Sequence, residues 1–140
     1  MNVIALLADL ASSTNAIIRN AASNFNLTAS QAFHLLSIPF DGIPMSCLAH
    51  RLGLDSSTLT RNIQKLEKLG LVRRMQDHYD KRIQRVILSD KGISLITSLE
   101  EHLEHQNNDV LEQIDLETQE HLMTVLERLC WAFDCIRDKP

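Results

Sequence analysis

The sequence predicts a mainly α-helical fold with a minor β component, and three observations carry that expectation. Four Gly, three Pro and six aromatic residues among 140 are too few for a turn-rich β protein. Apolar residues recur at helical spacing along most of the chain. Only residues 71–75 and 85–88 read as short strands, flanking a polar tip from Gln76 to Gln84, which is the pattern of a single hairpin. The length fits one domain over residues 1–140.

Helix 1 is expected from residue 3 to about 24, on the spacing of Val3, Leu6, Leu7, Leu10, Ile17, Ile18, Ala21 and Ala22. Thr28 is placed to cap a second helix through Phe33, Leu35 and Leu36 to Ile38, which Pro39 and Asp41-Gly42 end. Pro44 suits the first turn of a third helix, where its missing N–H would be unpaired anyway, and that helix runs to Leu52. Gly53 makes the turn. Asp55 or Ser56 caps the fourth helix, whose inward stripe is Leu59, Ile63, Leu66 and Leu69 and whose stop is Gly70. Ser89 caps the fifth, with Ile93, Ile96, Leu99 and Leu103 on one face. After Asp115 or Glu117 the last helix lines up Leu122, Val125, Leu126, Leu129, Phe133 and Ile136.

Charge is segregated along this order. Residues 44–91 hold ten Lys and Arg against five Asp and Glu, a net of +5, whereas residues 92–140 hold three against eleven, a net of −8. Screening confines each field to about 10 Å at 0.1 M salt, so the local excess decides what binds there. Within the basic block, Ala49 and Gly53 sit four apart, where two steeply crossing helices need a small contact residue and a turn glycine. Leu48, Leu52, Leu54 and Leu59 supply the core beneath, which leaves the start of the fourth helix free to enter a major groove. Helix, glycine turn, polar-faced helix and basic hairpin in that order make a winged helix-turn-helix, and duplex DNA is the expected partner.

The run LAHRLGLDSSTLTRNIQKLEKLGLVRRMQDHYDKRIQRVILSDKG resembles the MarR (multiple antibiotic resistance regulator) family of winged-helix repressors, most densely over residues 44–92. The resemblance implies a homodimeric transcriptional regulator, a repressor on a pseudo-palindromic operator, in which residues 1–25 and 93–138 form dimerisation helices around a DNA-binding lobe at 28–92. By matching positions, Ser56, Ser57, Thr58, Thr60, Arg61, Gln64 and Lys65 take the place of recognition-helix contacts, and Lys81 and Arg82 that of wing contacts. The chemistry agrees: hydroxyls meet phosphates or base edges, Arg61 can take a guanine bidentately, and Thr methyls suit a thymine methyl. Arg73 and Arg74 point alternately on the first wing strand, so one of them is expected to face backbone phosphate. The resemblance alone also implies a small apolar or aromatic effector, held between the dimerisation helices and the lobe.

The chain departs from the family pattern in the wing. Eleven residues before Leu88-Ser89 the family reads Asp-x-Arg; here Asp77 is followed two residues on by Tyr79. Either Arg82 substitutes as the minor-groove probe or the wing contacts only phosphate, and Arg82 is the favoured reading.

Other functions have less support. A winged-helix module that binds a protein partner is the alternative from another class. A metal sensor of the same fold would draw on His102 and His105, three apart, with His34 or His121; no ligand-spaced Cys joins them, and Glu100, Glu101 and Glu104 read as a solvated face, so no metal or other cofactor is expected. A redox sensor would need a reactive thiol, whereas Cys47, Cys130 and Cys135 read as free, small, buried hydrophobes; their odd number without a CxxC pair fits a reducing compartment. No GxSxG, HExxH, Walker or dinucleotide fingerprint is present, and no enzyme is expected. The N-terminus lacks a basic leader and no apolar run approaches the ~18 residues of a membrane span, so a cytoplasmic protein is expected.

Overall fold

The computed structural model describes residues 2–137. The ends of the expected segments at residues 1 and 138 lie outside that range. In order, the elements are α1 (Val3–Ser23), α2 (Ala29–Leu36), β1 (Ile43–Pro44), α3 (Met45–Leu52), α4 (Ser56–Lys68), β2 (Val72–Gln76), β3 (Gln84–Leu88), α5 (Asp90–Leu111) and α6 (Leu116–Arg137). By internal contacts the chain forms two compact units, one up to Leu103 and one from Glu104 onward.

The first unit holds the core. Leu35, Leu48, Leu59, Ile63, Leu66, Leu71, Val86 and Leu99 are its largest fully buried side chains, drawn from α2, α3, α4, the sheet and α5. From α1 only Ile18, Ala21 and Ala22 are buried. The sheet is three-stranded and antiparallel in the order β1-β3-β2, with Ile43 opposite Val86 and Val72 opposite Leu88. The expected hairpin is therefore joined by a short third strand. Pro44 belongs to that strand and is the N-cap of α3, at ψ 139, rather than lying within the helix's first turn. An edge strand tolerates it because its missing N–H faces away from the ladder.

Local chemistry sets the helix ends. Thr28 and Gln31 form a capping box, each side chain accepting from the other's backbone N–H. Gly53 ends α3 at φ 64, a left-handed conformation open to glycine without strain. The Ser89 hydroxyl donates to the Gly70 carbonyl and accepts from the Gly92 N–H, so it starts α5 and fixes it to the end of α4. Gly92 is required there, since a Cβ would overlap the Leu71 carbonyl oxygen. Leu69 departs from its expected place in the α4 stripe: it is the C-cap and is exposed. At 100° per residue it falls nearly a quarter-turn away from Leu59, Ile63 and Leu66.

In the second unit, Asp115 caps α6 by accepting from the Thr118 N–H and hydroxyl at 2.9 and 2.7 Å. Gln119 donates to the Leu111 and Ile114 carbonyls, closing the turn between the end of α5 and α6. No residue of α6 is buried. Met123, Val125, Trp131 and Ile136 are exposed, as are Ile4, Leu6 and Leu10 on α1. All three cysteines are also exposed, which corrects the expectation that they are buried. Cys130 and Cys135 lie on the uncovered α6, and Cys47 lies on α3 off the face that buries Leu48 and Ala49.

Asp55 is the strongest cap. Its carboxylate accepts from the Ser57 hydroxyl at 2.6 Å, the Thr58 N–H at 2.8 Å and the Thr58 hydroxyl at 2.7 Å. These bonds, that from Ser57 foremost, hold its carboxyl well below the usual carboxylate range. A depressed folded-state pKa means that the contribution is complete above the unfolded value of about 4 and is lost as pH falls through the lower folded value. Asp55→Ala is expected to lower Tm at neutral pH, and the gap from wild type should close progressively below about pH 4 in circular-dichroism melts. A gap that stays constant into strong acid would contradict this role.

Candidate nucleic-acid interface

Helix α4 is held by one face. Leu59, Ile63 and Leu66 are buried, and Ser56, Ser57, Arg61, Gln64 and Lys65 are exposed on the remainder, with Thr58 and Thr60 half-buried between. Several hydroxyl protons are committed internally. Ser57 and Thr58 donate to Asp55, and Thr60 donates to the Ser56 carbonyl at 2.8 Å. Arg61 Nη2 lies 3.5 Å from the Thr58 hydroxyl. Ser56, Gln64, Lys65 and Lys68 have no side-chain hydrogen bond among the described residues, so they and Arg61 are donors that α4 offers outward.

The wing is braced by three ion pairs that sequence reasoning did not identify. Arg74 donates from Nε and Nη2 to Glu67 at 3.1 and 3.0 Å, and its backbone N–H reaches the same carboxylate, tying β2 to α4. Arg73 is the exposed member of that pair of arginines. Arg82 makes the same two-bond pairing with Asp80, at 3.1 and 2.9 Å, while its side chain stays 90% exposed. Arg85 lies 3.4 Å from Asp77 and donates to the Gly42 carbonyl at 3.0 Å, which links the wing to the start of β1.

Asp77 organises the tip. Its Oδ2 accepts from the backbone N–H groups of Asp80 and Tyr79, and these bonds, with Arg85 beside it, lower its pKa. Arg82 likewise lowers that of Asp80. Tyr79 is 95% exposed, with the His78 ring against it edge-on at 5.2 Å. The antiparallel register, which brings Asp77 across from Ile83, was the available signal for the Asp77–Arg85 pair.

The electrostatic footprint is therefore smaller than the sequence count. Arg74, Arg82 and Arg85 are matched by carboxylates, whereas Arg61, Lys65, Lys68, Arg73 and Lys81 have none within 4.0 Å among the described residues. Exposed pairs exchange readily with another anion, so Arg82 remains available to phosphate, with Asp80 as the competitor.

The histidines do not converge. His34 is buried and bonded to Ser30 and Asn62, His102 lies 3.4 Å from Asn24, and no group of three His, Cys, Asp or Glu among the described residues is arranged to hold a metal. A cavity of about 550 Å³ opens beside Asn15, Phe33, His34, Arg51, Leu52 and Leu54. No helix of the described residues is long and apolar enough to cross a membrane.

Comparison with known proteins places this geometry. Residues 27–84 match the model of the MarR family. The HTH-type transcriptional regulator PecS of Dickeya dadantii (strain 3937) is 32% identical over 112 residues, covering 76% of this chain and 67% of that protein. A crystal structure of MarR superimposes with a TM-score of 0.83 at 22% identity, covering 98% of this chain and 94% of that one. A mutant MarR from E. coli, complexed with operator DNA, gives 0.77 at 21% identity over 92% of this chain and 94% of that one. The two structures share the winged-helix fold, and with the PecS likeness they lead to one conclusion: the chain belongs to the MarR family, whose members are transcriptional regulators rather than enzymes.

Proposed function

We propose that this chain binds double-stranded DNA sequence-specifically, as a homodimer on a pseudo-palindromic operator, and regulates transcription from it as a cytoplasmic repressor. The observation that carries this reading is the outward face of α4, where Arg61, Gln64 and Lys65 stand free of carboxylates while the opposite face is buried. Operator DNA bound to the related E. coli protein supports the same use of the fold. In this reading Ser56, Ser57, Thr58 and Thr60 line the approach to base edges and phosphates, Arg73 and Lys81 contact the backbone from the wing, and Arg82 is its minor-groove probe. Arg74, held by Glu67, braces that strand instead.

The lobe at 28–92 carries the DNA surface and the helices at 1–25 and 93–138 carry dimerisation. The support is apolar surface that the single chain leaves uncovered: Ile4, Leu6 and Leu10 on α1, and Met123, Val125, Trp131 and Ile136 on α6. Two-fold symmetry then sets the recognition helices about 34 to 36 Å apart, one turn of duplex. A small apolar or aromatic effector releases the protein from DNA; the cavity beside Phe33, Leu52 and Leu54, with Arg51 at its wall, has the size and mixed lining for one.

Affinity for a selected duplex, measured by fluorescence anisotropy, is expected to fall steeply with salt, log K dropping by about 0.9 per phosphate neutralised. Arg61→Ala should cost ~1 to 3 kcal/mol and relax preference at one base pair, whereas Lys81→Ala should weaken all sequences alike and reduce the salt slope by about 1. Salt-independent binding would favour a protein-interaction module instead. In sedimentation equilibrium the chain should run at twice its monomer mass, and Val125→Glu should shift it to monomer. Val125 is 51% exposed in the single chain, so this change spares the subunit's own core. A wild-type chain that stays monomeric at micromolar concentration would refute the dimer.

A further inference from the structure

We propose that His34 is the positioning residue that holds α4 in its DNA-binding attitude, acting through Asn62. The proposal rests on the DNA-binding reading above and names the contact within the lobe on which it depends. His34 is the one buried polar side chain among the described residues, 5% exposed. Its Nδ1 lies 2.6 Å from the Ser30 carbonyl oxygen and its Nε2 lies 3.1 Å from Asn62 Nδ2. A carbonyl oxygen can only accept, so Nδ1 carries the proton and donates to it; the Nε2 lone pair is then left to accept from the Asn62 amide. Both ring nitrogens are satisfied and the ring cannot turn without leaving one of them unpaired in a buried site.

The partner's position gives the bond its consequence. Asn62 sits on α4 between Arg61, a proposed base contact, and Ile63, a core residue. Apolar burial by Leu59, Ile63 and Leu66 fixes which face of α4 points inward but is non-directional, so it leaves small rotations about the helix axis weakly opposed. A directional bond from Asn62 to a ring locked on α2 opposes that rotation, and base readout tolerates little of it. His34 and Ser30 also line both the larger cavity and a smaller one of about 160 Å³ that includes Gln31, Asn62 and Lys65. A ligand in the larger cavity therefore meets the same ring that holds α4.

The test is a double-mutant cycle in the full chain, with wild type, His34→Phe, Asn62→Ala and the double variant titrated against one fluorescein-labelled duplex selected by the wild type. His34→Phe keeps a planar aromatic ring, slightly larger than imidazole, and removes both bonds. Each single variant is expected to lose about tenfold in affinity with an unchanged salt slope, and the double variant to lose no more than either, because the two residues act as one unit. Losses that multiply would mean that Asn62 touches DNA by itself, and a folded single variant that binds like wild type would mean that the bond positions nothing; either result overturns the proposal. Amide spectra without DNA provide the second readout. Both single variants should shift the same α4 resonances from Arg61 to Lys65, and unmoved resonances would overturn the proposal even if His34→Phe folds poorly and only Asn62→Ala can be used. Absence of salt-dependent duplex binding by the wild type would instead count against the DNA reading and leave the spectra to decide the His34 link.

Discussion

Everything distinctive about this molecule depends on anchoring α4 by one face. Leu59, Ile63 and Leu66 remove that face from water, and burial of three such side chains is worth several kcal/mol, enough to hold a helix whose remaining surface is wholly polar. Asp55 and Gly70 then fix where the helix begins and where it stops. Were the helix shifted by one residue, Lys65 or, in the other direction, Glu67 would take a core position, and its desolvation would oppose the change. The same packing that stabilises the lobe thus determines which side chains remain in solvent.

Around this helix the protein uses its charges in two ways. Glu67, Asp77 and Asp80 do not merely dilute a basic surface; each takes one arginine and turns it into a brace, from β2 to α4, from β3 to the loop before β1, and across the wing tip. The cations left over lie on α4, on β2 and at the tip. The proposed binding energy comes from these, while the braced arginines supply shape. Arg82 belongs to both groups, since its pair with Asp80 is exposed and a phosphate can compete for it.

The sequence revealed what local chemistry controls. As caps, Thr28, Gly53, Asp55 and Ser89 bond within three or four residues of themselves, and the structure has each of them at the helix end that was expected. The six helices and the hairpin followed from periodicity for the same reason. Features that depend on distant partners were missed: the pairing of Ile43 and Pro44 with β3, the Arg85 bridge, and the His34–Asn62 bond across 28 residues. Their residue types allow many partners, and only the fold selects one. Composition also misjudged the cysteines, because apolar character expresses a preference for burial but does not say which surfaces the single chain covers.

The claim that α4 and the wing form the DNA surface is tested most directly by mapping amide chemical shifts while an operator-like duplex is titrated into the isotopically labelled chain. The expected result is a contiguous set of perturbed residues on the outward face of α4, from Ser56 to Lys65, together with Arg73, Lys81 and Arg82. Shifts confined to α6, with α4 and the wing unchanged at saturating DNA, would contradict it.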